Sequence, residues 1–106
     1  MREIKFRRWS FSNECMCYSE VVGLEEFFSN TFGENVSEDM QYSGLKDVNG
    51  ADIYEGDILS ALNENSAVKF DDGSFYIGIG KIDRIKLSQQ YIVDCGFVVT
   101  GNIYED

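Results

Sequence analysis

From Gln41 onward, reverse-turn sequences recur too often for long helices to form between them. Asp47-Val48-Asn49-Gly50, Glu55-Gly56-Asp57, Asn63 to Ser66, Asp71-Asp72-Gly73-Ser74 and Gly101-Asn102 divide the chain into short lengths. Asn and Gly accept the positive φ that tight hairpins demand, so these are reversal points. Between them lie Ile53-Tyr54, Ile58 to Leu62, Val68 to Phe70, Phe75 to Ile79, Ile82 to Leu87 and Tyr91 to Thr100. These lengths carry the β-branched and aromatic residues that suit a pleated, half-buried surface. Upstream, Ile4 and Phe6 alternate with Lys5 and Arg7, which predicts a half-buried strand whose basic residues either pair with the acidic body or lie on an outward face carrying Lys5 and Arg7. Ser12-Asn13 makes a turn, and Cys15 to Val22 a returning strand. A single helix is predicted, where Leu24, Phe27, Phe28 and Phe32 share one face with Glu25 and Glu26 early and Gly33 as the stop. Its phenylalanine stripe is expected to face a core.

The expected fold is therefore mainly β with one short helix, a small antiparallel β-barrel or strongly twisted sheet, SH3-like in general character. At 106 residues one domain is expected. Within it we assign an N-terminal hairpin over 1–22, a variable helix and acidic loop over 23–40, and a barrel-like core over 41–106. No apolar run reaches membrane-spanning length. The start Met1-Arg2-Glu3 has no apolar stretch of the signal-peptide kind, which predicts a cytoplasmic protein.

The chemistry is limited by what is missing. There is no histidine, which removes the usual neutral-pH base and the commonest metal ligand. Serine–histidine and cysteine–histidine catalysis are excluded within one chain. Cys15, Cys17 and Cys95 are too few for a structural zinc site, and they are read as reduced core residues. Asp52, Glu55 and Asp57, and the pair Asp71-Asp72, are the remaining groups that could gather around Mg²⁺ or Ca²⁺. They follow no loop motif, so no metal, no cofactor and no enzymatic activity are expected. Gly78 and Gly80 lack the rest of a phosphate-binding loop.

Charge is unevenly placed. Nineteen acids oppose nine bases, for a formal net charge of -10. Residues 1–12 hold four bases and one acid, whereas residues 13–67 hold twelve acids and only Lys46. Such a middle repels phosphate backbones; its first reading is solubility, and its second is recognition of a basic partner.

Several blocks carry a family resemblance. Met1-Arg2-Glu3-Ile4-Lys5-Phe6-Arg7 with Trp9, Gln41-Tyr42-Ser43-Gly44-Leu45-Lys46-Asp47, Asn49-Gly50, Ile53-Tyr54-Glu55-Gly56-Asp57-Ile58 and Gly101-Asn102-Ile103-Tyr104-Glu105 resemble the YopX family. These are small proteins of bacteriophages and prophages. The blocks run in the family's order along the whole chain. Residues 13–39 match no family pattern, and relatives often continue beyond the point where this chain ends. The resemblance implies a largely β protein of phage or prophage origin, with no catalytic residue to carry over. Trp9, Tyr42, Gly44, Gly50, Tyr54, Gly56, Asp57, Gly101 and Tyr104 are the motif residues, and each has a structural reading as a turn or a packed ring. Gly56 kinks the chain before a barrel strand, and Asp57 accepts from the turn's amides.

The leading functional expectation is a phage accessory module that binds a host or phage protein. The expected surface is acidic, with Glu25, Glu26, Glu34, Glu38 and Asp39. Its alternative is a nucleic-acid-associated barrel using Arg2, Lys5, Arg7, Arg8 and exposed aromatics such as Trp9 or Tyr76, which the net charge disfavours. A carboxylate- or metal-dependent enzyme ranks below both. Pairing of strand edges between copies would give a homo-oligomer.

Overall fold

Trp9 decides which way the N-terminal strand faces. The computed structural model describes residues 4–22, 27, 35–61, 63–79 and 81–105. Strand β1, Phe6–Ser10, pairs antiparallel with β2, Cys15–Tyr18, through the turn at 11–14. Period-two alternation places Lys5 and Arg7 on the side of Trp9, and all three are buried while Ile4 is exposed. The outward-facing reading is thus reversed, and the basic start instead pairs with acids of the chain, Lys5 with Glu20 and Arg8 with Asp39. One indole outweighs Ile4 and Phe6, and the long basic stems pack as hydrocarbon while their charges find partners. The returning strand is also shorter than expected, since Ser19–Val22 turns into a helical segment, α1.

The chain divides into two compact units, Met1–Tyr42 and Ser43–Asp106. In the first, β1 also pairs with the start of β3, Met40–Lys46, through Phe6↔Gln41 and Arg7↔Met40. Val36 makes an isolated bridge to Ser10. Phe27 is helical and fully buried, as a core-facing stripe requires. Leu24, Phe28, Phe32, Glu25, Glu26, Gly33 and Glu34 lie outside the described residues.

The second unit is antiparallel in every described pairing. It comprises the rest of β3, then β4, Asp52–Tyr54, β5, Asp57–Ala61, β6, Glu64–Ala67, and β7, Lys69–Asp71. There follow β8, Ser74–Ile79, β9, Ile82–Lys86, helix α2, Gln89–Cys95, and β10, Val98–Asn102. Two three-stranded sheets, β10-β5-β6 and β7-β8-β9, are part of a strongly curled, mainly β fold. Ile53, Leu59, Val68, Phe75, Ile77, Leu87, Ile92 and Phe97 form its core.

Three boundaries differ from expectation. Asn63, at φ 63°, stands at the reversal before β6, whose Glu64 pairs with Ala61, so Glu64 to Ser66 is strand rather than loop. Tyr91 to Thr100 is not one strand. Ser88 caps a helix by accepting from the Tyr91 amide at 3.1 Å, and Gly96, in the left-handed region at φ 75°, returns its N–H to the Ile92 and Val93 carbonyls. Those two caps satisfy orphaned backbone groups that the strand preference of Tyr91, Ile92 and Val93 cannot answer. Gly101-Asn102 lies within β10, after a bulge between Val99 and Gly101. The turn follows one step later, where the Asn102 side chain accepts from the Tyr104 and Glu105 amides.

Candidate functional site

The first unit uses up its basic strand internally. The Lys5 ammonium lies 4.4 Å from the Tyr42 ring centroid and 3.6 Å from a Glu20 carboxylate oxygen. Arg8 pairs with Asp39, donates to the Phe27 carbonyl and stacks 4.1 Å from the Phe27 ring. Arg7 and Trp9 are buried, and the Trp9 amide donates to the Ser37 hydroxyl at 2.9 Å. Lys5, Arg7, Arg8 and Trp9 therefore form no exposed face for phosphates and bases, which corrects that expectation. Of the expected acidic surface, Glu38 is exposed, Asp39 is engaged by Arg8, and the other three residues are not described.

The thiols also differ from their reading as core residues. Cys15 is exposed on β2, Cys17 is half-buried, and Cys95 packs partly against the second unit's core. Burial pushes the Cys17 thiol up, reinforced by Cys15 two positions away on the same face. All three are free.

Asp47 is a heavily used carboxylate, which the sequence marked only as a turn residue. Its Oδ1 accepts from the Asn49 and Ala51 amides at 2.8 and 2.9 Å, and its Oδ2 from the Val99 amide at 2.9 Å. Burial alone would push its carboxyl up. The amides of Val99, Ala51, Asn49 and Gly50 outweigh that and hold it below the ordinary value. Gly50 at φ 86° completes the turn. Asp57 is buried and accepts from the Tyr54 amide at 2.7 Å, Gly56 has φ 89°, and Asp52 pairs with Lys46. Each of these acids has a local task. Among the described residues no group of three or more acids or thiols is placed to hold a metal ion.

An open groove of about 660 Å³ lies elsewhere in the second unit. Its walls are β6, with Glu64, Asn65 and Ser66, and the outer face of β7-β8-β9, with Lys69, Asp71, Tyr76, Gly78, Ile82 and Arg84. The Ser66 hydroxyl accepts from the Gly78 amide at 2.9 Å and ties the two walls together. The turn at Asp72-Gly73 sets the register that places Lys69 and Lys86 opposite Tyr76 on its two sides. Directly opposed residues share a face. Arg84 lies 4.2 Å from the Tyr76 ring centroid and donates to Asp71 at 2.9 Å. Tyr76 and Asp71 were singled out from sequence for separate reasons, but Lys69 and Arg84 were not. The hairpin register was the signal that would have grouped them.

No described helix is long and apolar enough to cross a membrane. The family model described as YopX protein matches residues 5–106. A search of curated proteins finds no match. The crystal structure of protein EF1440 from Enterococcus faecalis is similar, with a TM-score of 0.66 and 22% identity, covering 98% of this chain and 95% of that one. That likeness bears on fold alone.

Proposed function

Starting from a chain that belongs to the YopX family, we propose a phage- or prophage-encoded accessory module that binds a basic protein partner through its acidic exterior. The partner is a host or phage protein of the bacterial cytoplasm. One observation carries the reading: Lys5, Arg7, Arg8 and Lys46 are buried or engaged internally. The acid excess of residues 13–67 is then balanced by a partner rather than by an exposed basic strand. Opposed surface charge mainly raises the encounter rate and selects the partner. Glu14 and Glu38 are exposed acids of that segment, and they join Glu25, Glu26, Glu34 and Asp39 as the proposed surface.

The test is capture from nuclease-treated bacterial lysate with the tagged protein and with a Glu14→Lys, Glu38→Lys variant. A basic protein retained by the first and lost by the second supports the module. Identical captures from both would remove the acidic surface as the recognition site. Light scattering on the eluted protein decides the alternative, that the acidic monomer pairs with its own copy.

A further inference from the structure

Eight of the nine basic residues lie among the described ones, and their distribution is sharply divided. Lys5 and Arg7 are buried, and Arg8 and Lys46 are paired with Asp39 and Asp52. The other four, Lys69, Lys81, Arg84 and Lys86, are all exposed and all lie within residues 69–86. That stretch holds four bases against three acids in a chain whose net charge is -10. Lys69, Lys81 and Lys86 make no ion pair among the described residues. Charges beyond about 8 Å are largely screened at physiological salt, so the distant acids do not cancel this face.

The same face carries the groove. Lys69 and Lys86 flank Tyr76 in register, Arg84 stacks on its ring, and Glu64 and Asp71 stand on the walls. We propose that this outer face of β7-β8-β9 is a binding site for single-stranded RNA. Lys69, Arg84 and Lys86 meet the phosphates, and Tyr76 with the Arg84 guanidinium forms the stacking platform for a base. Glu64 and Asp71 explain why a phosphate site would also contain carboxylates. Each accepts a hydrogen bond from a ribose 2′-hydroxyl, which DNA lacks. A duplex cannot present a splayed base to Tyr76. The site is separate from the acidic surface proposed above, and either stands if the other fails.

Fluorescence anisotropy with a labelled oligouridine of about ten nucleotides, at about 50 mM salt, tests the proposal. Binding is expected to weaken on the order of tenfold for the matching deoxy-oligonucleotide and for Tyr76→Leu. The Lys69→Gln, Lys86→Gln variant should lower the salt-dependence slope by about 1 to 2. Glu64→Ala should narrow the gap between RNA and DNA. Thermal melts confirm that each variant is folded, and the two exposed lysine substitutions remain informative if Tyr76→Leu is not. No binding at low salt overturns the site. So does equal affinity for RNA, DNA and duplex, because plain electrostatics would then account for it.

Discussion

Asp47 shows how much one side chain can hold. Its two oxygens fasten its own turn and reach the Val99 amide, 52 residues away. Its carboxyl is held below the ordinary value, so its stabilising effect is complete above the unfolded value near pH 3.9 and is lost as pH falls through the lower folded value. Asp47→Asn removes the charge and turns a donor toward one of these amides. We expect it to destabilise the fold by about 1–3 kcal/mol at neutral pH. Acid titration followed by circular dichroism should show a shallower loss of stability below about pH 4 in the variant than in the parent. The sequence displayed Asp47 next to Asn49-Gly50, so the turn was readable. Its long-range bond was not, because nothing local to residues 47–50 refers to Val99. The orientation of β1 was readable in principle from Trp9, whose phase with Lys5 and Arg7 outranks the smaller apolar residues.

At the scale of elements, the hairpins were legible and the last helix was not. Asp72-Gly73 and Asn49-Gly50 act where their residue types say they should, with Asp72, Gly73 and Gly50 at positive φ, a conformation Gly, Asn and Asp adopt most readily. Helix α2 has seven residues rich in β-branched and aromatic types, and its existence depends on its ends. The Gln89 side chain adds a pair of bonds, accepting from the Lys46 amide at 3.0 Å and donating to its carbonyl at 2.7 Å. Ser88→Ala should lower stability by about 1 kcal/mol through loss of the cap. Gly96→Ala should cost a similar ~1 kcal/mol; open space surrounds the position, so the effect is one of backbone conformation rather than collision. Urea denaturation of both variants measures these effects, and an unchanged midpoint in both would mean the caps do not govern α2. The groove escaped the sequence reading because its residues come from four strands and meet only once the registers are known.

At the scale of the whole molecule, the charge of -10 acts on folding as well as on partners. Like charges gathered in a compact state repel one another, and added salt relieves that repulsion more than it weakens the few exposed ion pairs. The melting temperature is expected to rise as sodium chloride is raised from about 10 to about 150 mM, the range over which the Debye length falls from ~30 to ~8 Å. Differential scanning fluorimetry in matched buffers checks the direction. A melting temperature that falls with salt would mean that ion pairs such as Arg84–Asp71 and Lys46–Asp52 outweigh the repulsion.

The bond from Asp47 to Val99 and the pairing of β10 with β5 also set an order of events during synthesis. A ribosome that has released residues 43–80 has exposed most of the core's apolar side chains but not the strand that closes over β5. Val99 and its neighbours follow all of these strands in the chain. Until they do, Ile58 and Leu59 stand at an open sheet edge, and Asp47 holds only its own turn. A nascent chain stalled before Val98 would remain sensitive to protease throughout this unit, and one released a few residues later would become resistant. Protection is thus delivered by β10, and loss of that strand should be felt at residue 47.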